Sequence, residues 1–264
     1  MTMIPKIIHY CWFGGSNLPD SAIKCINSWK KYFPDYEIKE WNESNFDLNC
    51  CSYVREAAEA KKWAFVSDYA RFWILYNFGG IYFDTDVEVI NDMSNIVKNG
   101  SFMGCEAIGK CNPGLGMGAV KKLEIYKEIL DYYNSIHFSY NNGNIQTVVD
   151  YTTKILENHG WKDLGEITVI KNISIYPSEY FCPYDYSTGI WNITEKTVSI
   201  HHYTSSWHSW IDNIIMNIER CDKENKPYRY KIRRIVSFPF RVLNKFYKIG
   251  FYKTLNLIKI KFKG

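Results

Sequence analysis

The stretch GGIYFDTDVEV, residues 79–89, sets two glycines ahead of an apolar run that carries Asp84 and Asp86 two positions apart. In an extended strand residues two apart share a face, so Ile81, Phe83, Thr85 and Val87 would line one side and Tyr82, Asp84, Asp86 and Glu88 the other. Upstream, residues from about Tyr53 to Phe78 read as one long helix, which Gly79-Gly80 ends by tolerating left-handed backbone angles. Further back, Lys6–Trp12 (KIIHYCW) reads as a buried first strand and Gly14-Gly15 as a turn. Asp20–Tyr32 then reads as a helix with Ile23, Ile26 and Trp29 inward, and Tyr36–Trp41 as an alternating second strand. Strand, helix, strand, helix, strand is the order of an α/β layer structure with parallel strands and a nucleotide-sized crevice at their carboxyl ends. Lys121–Tyr133 continues as a helix, and Val169–Tyr176 and Thr197–His202 as strands. There is no internal repeat or low-complexity linker, so the expectation is one domain, residues 1–226, followed by a distinct tail, 227–264.

With 264 residues, 17% aromatic and 23% charged, the chain is long enough for a well-buried core and unlike a disordered segment. Its opening, MTMIPKIIHY, runs straight into a strand-like pattern without the basic-then-apolar segment of an export signal, which predicts action in the cytoplasm. The eight cysteines contain no CxxC, and Cys50 and Cys51 are adjacent, so they read as reduced thiols. No apolar run is long enough to span a membrane.

The net charge of +4 hides an asymmetry: residues 227–264 hold 11 Lys or Arg and no Asp or Glu, leaving about −7 on the rest. Within the tail Val242, Leu243, Phe246, Tyr247, Phe251, Leu255 and Ile258 recur near helical spacing, with Arg241, Lys245, Lys248 and Lys259 opposite and Lys253 breaking the pattern. Such a helix suits an anionic membrane surface; the alternative is a helix packed on the core with a solvated basic side. Nucleic acid is not expected as a partner, since no reading motif accompanies the basic residues.

Two carboxylates facing one space repel unless a cation relieves them, and a hydrated hard divalent ion satisfies both. Mg²⁺ or Mn²⁺ held by one or two carboxylates commonly completes its shell with phosphate oxygens, which points to a nucleoside diphosphate. On this tripeptide alone, two solvated aspartates on an exposed strand remain an open reading. Asp68 and Arg71, three apart on a helix, are either a surface ion pair or, given the apolar residues around them, a pair suited to sugar hydroxyls. SIHHYTSSWHSW, residues 199–210, adds His201, His202, Ser205, Ser206 and Trp207, which could ligate a metal or hold a phosphate oxygen.

Together, IPKIIHYCWFGG (4–15), SDYARFWILYNFGGIYFDTDVEV (67–89), IYPSEYFCPYDYSTG (175–189) and SIHHYTSSW (199–207) resemble the glycosyltransferase family 32 type of enzyme found in bacterial capsular and surface-polysaccharide synthesis. More distantly they are similar to the catalytic domain of the large clostridial glucosylating toxins. The resemblance covers about residues 4–207. It implies a GT-A type, Rossmann-like nucleotide-sugar-binding fold, a UDP-linked sugar donor, Mn²⁺ or Mg²⁺, and transfer with retention of configuration. It also implies roles: Trp12 stacks on the base, Asp68 and Arg71 hold donor-sugar hydroxyls, and Tyr82 flanks the nucleotide. Asp84 faces the ribose and the metal's water shell, and Asp86 ligates the metal. His202 takes the place of a toxin glutamate, which favours Mn²⁺ over Mg²⁺, and Ser205 and Trp207 contact metal and phosphate. The expected acceptor is a glycan, lipid-linked for preference, on the inner face of the cell membrane.

No carboxylate is clearly placed as a nucleophile. Glu106 is conceivable, with a surface acid the plainer reading, and front-face transfer is the working mechanism. The glycine-rich NPGLGMGA, residues 112–119, reads as a loop over the donor sugar or a plain loop. Two rivals predict different behaviour: a two-metal phosphoryl hydrolase built on Asp84, Asp86, His201 and His202, and a membrane-peripheral module with a vestigial nucleotide crevice.

Overall fold

The computed structural model describes residues 3–139, 146–185, 188–203, 210–219 and 227–249. The elements run β1 (Ile7–Cys11), α1 (Asp20–Tyr32), β2 (Glu37–Trp41), α2 (Ser52–Glu59), α3 (Trp63–Phe78), β3 (Gly80–Tyr82), β4 (Val87–Val89), α4 (Ser94–Lys98), β5 (Phe102–Ala107) and β6 (Lys110–Ala119). They continue with α5 (Glu124–Asn134), α6 (Val148–Asn158), β7 (Thr168–Ile170), β8 (Ile173–Tyr176), α7 (Ser178–Phe181), β9 (Tyr184–Asp185), β10 (Ile190–Trp191), β11 (Ser199–His201), α8 (Trp210–Glu219) and α9 (Pro227–Ile249). Two compact units result, one of residues 1–184 with 192–203, the other of 185–191 with 204–264.

The first unit is the expected α/β layer structure around a seven-stranded sheet of order β2-β1-β3-β6-β5-β8-β7. β1 pairs in parallel with β2 and β3, which matches the parallel reading of the first half. The sheet as a whole is mixed, because β6 runs antiparallel between β3 and β5, and β7 and β8 form a hairpin. That hairpin turns on Lys171 and Asn172, both at positive φ, so the expected strand 169–176 is two short ones. On one side of the sheet Trp29, Phe33, Phe83 and Phe181 form an aromatic core; on the other, α3 packs with Tyr126 and Tyr133 of α5.

Three expectations are corrected. The helix expected over 53–78 is interrupted at 60–62: Lys62 N–H bonds back to Ala57 O, Lys61 takes φ 55°, and α3 starts afresh at Trp63. The restart carries the Trp63 indole against Gly14, where any Cβ would collide with it. Residues 81–89 are not one strand either. β3 stops at Tyr82, Val87 N–H bonds to Asp84 O at 3.0 Å to close a turn, and β4 pairs with β11 in a separate ribbon. The segment 112–119 is no loop but most of β6, buried at the middle of the sheet. Its glycines make room: a Cβ at Gly116 would strike Phe83, one at Gly118 would strike Phe102, and one at Gly114 would strike the Asp84 carboxylate.

In the second unit α8 and α9 associate, and α9 confirms a helix over the described part of the tail. Among the described residues no helix is long and apolar enough to cross a membrane. Cys11, Cys25, Cys105 and Cys111 are buried thiols, as expected for a reduced core.

Candidate metal and nucleotide-sugar site

The site is built where β1 and β3 end beside α3. α3 is apolar nearly all round and buried, so the charges it carries must find partners inside. Arg71 Nη2 reaches Asp68 Oδ1 at 3.0 Å and Asp84 Oδ1 at 3.2 Å, with 4% of the arginine side chain exposed. Its Nε donates to Ser67 O at 3.1 Å, and the guanidinium lies 5.1 Å from the Tyr82 ring centre. Tyr82 O–H donates to Asp84 Oδ1 at 3.0 Å, and Asp84 N–H donates to Gly114 O at 3.1 Å. Asp84 is therefore gripped by α3, by Tyr82 at the end of β3 and by β6 together. The Cys11 thiol, at the end of β1, is pushed up to about 12 by burial, with the Arg71 guanidinium opposing.

The turn at 84–87, rather than strand alternation, brings the second carboxylate alongside the first. Asp86 Oδ1 stands 3.1 Å from His201 Nε2, and one ligand atom each from Asp84, Asp86 and His201 lie within 4.8 Å of one another. His201 belongs to β11, whose antiparallel register sets it opposite Val87. His202 is the correction here. As the next residue along it points the other way, and its Nε2 bonds Glu88 Oε2 at 2.8 Å, which Lys24 Nζ also holds at 3.0 Å. Glu88 likewise leaves the face it was expected to share with the aspartates, because the turn breaks the alternation.

Burial pushes Asp68 up to about 7 despite Arg71, and burial raises Asp84 too, with Arg71 opposing and Asp86 adding. For His201, burial disfavours the imidazolium, but Asp86, with Asp84 and Glu106, outweighs it and the pKa rises. Arg71 thus faces two carboxylates, Asp68 and Asp84, while His201 faces the third, Asp86. His201 Nδ1 is buried and has no hydrogen-bond partner among the described residues. Two carboxylate oxygens and an imidazole nitrogen at this spacing fit a divalent cation, and the nitrogen suits Mn²⁺ better than Mg²⁺.

Trp12, the residue after Cys11, lines an adjoining open cleft of about 670 Å³ together with Trp63, Glu40, Asn42 and Glu43. Its indole is held by donation to Ser16 O at 2.7 Å. Ser205, Ser206 and Trp207 lie outside the described residues. Sequence reading gave Trp63 no role and placed Asn112 and Gly114 only in a glycine-rich segment read as a loop over the donor sugar or a plain loop. Asn112 donates to Glu106 Oε2 at 2.8 Å and accepts from Gly114 N–H at 2.7 Å, so Glu106 is tied through β6 to Asp84. The glycines at 114, 116 and 118, alternating with larger residues, were the available signal, since a two-residue period marks a strand face.

Comparison with known proteins bears on this geometry. Residues 19–103 match the family described as glycosyltransferase sugar-binding region containing DXD motif. Inositol phosphoceramide mannosyltransferase 1 of Schizosaccharomyces pombe is 28% identical over 125 residues, covering 42% of this chain and 38% of that protein. Inositol phosphoceramide mannosyltransferase 3 of the same organism is 33% identical over 88 residues, covering 32% and 24%. The matches thus span well under half the length of these relatives. Among solved structures, the PaToxG glycosyltransferase superposes with TM-score 0.46 at 22% identity over 59% of this chain and 69% of that one. A glycosyltransferase involved in glycosylation of the major capsid of PBCV-1 gives 0.45 at 15% identity over 76% and 95%. The segment 19–103, which carries Asp68, Arg71, Asp84 and Asp86, is similar to the glycosyltransferase sugar-binding region containing DXD motif.

Proposed function

We propose that the protein is a metal-dependent glycosyltransferase that moves a sugar from a nucleotide-sugar, UDP-linked for preference, to a glycan acceptor with retention of configuration. The observation that carries this is the convergence of Asp84, Asp86 and His201 beside the buried Arg71–Asp68 pair, within a DXD sugar-binding region. Asp86, Asp84 and His201 would hold Mn²⁺ or Mg²⁺. When bound, the ion neutralises charge on the leaving diphosphate. Trp12 offers an indole face to the base, and Asp68 and Arg71 offer an acceptor and a donor to sugar hydroxyls. Ser205 and Trp207 are assigned to the metal and phosphate by the family resemblance, and Ser206 to donor binding beside them.

In the reaction the bond from the anomeric carbon to the diphosphate breaks and a bond to the acceptor oxygen forms on the same face. The acceptor's proton passes to the departing phosphate. A product of inverted configuration would rule this out. The names of the two yeast relatives put mannose on inositol phosphoceramide, a lipid, which favours a lipid-linked acceptor and makes mannose an early sugar to test. Residues 1–226 are assigned to catalysis and 227–264 to an anionic membrane surface on the cytoplasmic side, in a surface-polysaccharide pathway such as capsule synthesis. Against a two-metal hydrolase stands the turning of His202 toward Glu88, which among the described residues leaves His201 as the one histidine with the aspartates.

The test is slow hydrolysis of a panel of UDP-, GDP- and CMP-sugars with Mn²⁺, beside an Asp86→Ala control. Metal-dependent cleavage of one donor, reduced at least about 10²-fold in the control, is the expected result. Equal cleavage by the control, or none of any donor by folded protein, would overturn the reading.

A further inference from the structure

The second unit contains an amphipathic helix whose sides are the reverse of those a helix packed on its own protein should have. On α9 the side turned to α8 is polar. Ser237 is fully buried and donates to Glu219 Oε1, Arg241 Nε pairs with the same oxygen at 3.4 Å, and Arg233 donates to Ile218 O at 3.3 Å. The other side is apolar and open: Tyr228, Ile232, Ile235, Val236 and Leu243 are exposed by 75, 45, 72, 55 and 39%. Their spacings of four, three, one and seven residues lay them along one face of the helix. Arg229 and Lys231 flank that stripe on its two sides, and both are exposed.

We infer that α9 docks on an anionic lipid surface through the stripe Tyr228, Ile232, Ile235, Val236 and Leu243, with its Glu219-bound side turned away from the bilayer. This deepens the membrane assignment proposed above by naming the face that makes the contact. Charge selects the occupant. Residues 227–264 hold no acidic side chain, so two copies meeting stripe to stripe would bring like charges together, whereas an anionic leaflet complements the flanking Arg229 and Lys231. Long basic side chains beside an apolar stripe can reach the headgroups while the stripe enters the acyl boundary. The helix is too short of apolar residues to cross, so it lies in the interface.

The experiment is flotation of the full chain with vesicles of phosphatidylcholine alone and of phosphatidylcholine with phosphatidylglycerol. It compares wild type, a stripe variant (Ile232→Ser, Ile235→Ser, Val236→Ser) and a flank variant (Arg229→Gln, Lys231→Gln). All five positions are exposed, and circular dichroism checks that α9 persists. The expected result is binding of wild type to the phosphatidylglycerol vesicles, reduced at least about tenfold by the stripe changes on the area they remove. The flank changes should weaken only the anionic-vesicle binding. If wild type binds but the stripe variant binds equally, the face is wrong and the membrane assignment survives. If wild type binds neither vesicle, the membrane assignment itself fails. Self-association of wild type that the stripe variant abolishes, without vesicle binding, would make a second copy the occupant and overturn the inference.

Discussion

His201 and His202 are neighbours in the chain and opposites in space, and the difference has a measurable consequence. His201 joins Asp84 and Asp86, while His202 completes a surface group with Glu88 and Lys24. Removing one of three ligands should weaken Mn²⁺ binding strongly, whereas an ion pair on the far side should hardly matter. We expect His201→Ala to raise the Mn²⁺ dissociation constant by about 10- to 100-fold. His202→Ala should leave it within about threefold and remove only about 0.5–1 kcal/mol of stability. Titration of Mn²⁺ by calorimetry reads both, and equal losses from the two variants would contradict the assignment. The aspartate pair was legible in the sequence because DxD two residues apart is a local pattern. Which histidine joins the aspartates was not, because it depends on which of two consecutive residues faces Val87, a register fixed only by pairing of distant strands.

At the scale of elements, His9 ties three pieces of the fold together. Its Nδ1 accepts from Trp41 Nε1 at 3.1 Å on β2, which leaves Nε2 protonated to donate to Gly79 O at 3.0 Å at the end of α3. The ring is fully buried, and burial lowers its pKa from 6.5 to about 4. A depressed pKa means that the neutral form is favoured in the folded state, so the stability it confers is present above pH 6.5 and is lost as pH falls toward 4. Wild type should therefore lose up to about 1.4 kcal/mol per pH unit across that window from this one group. His9→Leu should remove that part of the slope while lowering stability at pH 7.5 by about 2–4 kcal/mol, because Trp41 N–H and Gly79 O are left unpaired. Urea unfolding at several pH values measures both, and an unchanged slope in the variant would refute the argument. Periodicity and punctuation made β1, α1, β2 and α5 readable, since each is set by neighbouring residues, although Ile23 of α1, expected inward with Ile26 and Trp29, is exposed. The break at 60–62 and the strand character of 112–119 were not readable. They answer to Trp63 meeting Gly14 and to Asp84 and two phenylalanines needing glycine space, contacts between residues far apart in sequence.

For the whole molecule, net charge of +4 describes neither part of it: about −7 lies on residues 1–226 and +11 on 227–264. The two charges act at different depths. Those of the candidate site are buried or half-buried and held by one another, with Arg71 4% and Asp84 29% exposed, so salt reaches them less than surface charges. Arg229, Lys231, Arg233, Arg234 and Lys245 of the tail are exposed, and their attraction for an anionic leaflet falls as the Debye length shrinks from about 10 Å at 0.1 M salt to about 3 Å at 1 M. Raising salt over that range should reduce partition onto phosphatidylglycerol vesicles by about tenfold or more, down to the level seen on neutral vesicles. The residue that persists measures the apolar stripe of α9 alone. Donor hydrolysis at saturating Mn²⁺ should change by less than about threefold over the same series, because its electrostatics are short-range and largely shielded from water. Flotation and hydrolysis run on the same samples separate the two. If hydrolysis fell in step with vesicle release, catalysis and membrane contact would be linked, and the division of labour between the body and the tail would have to be abandoned.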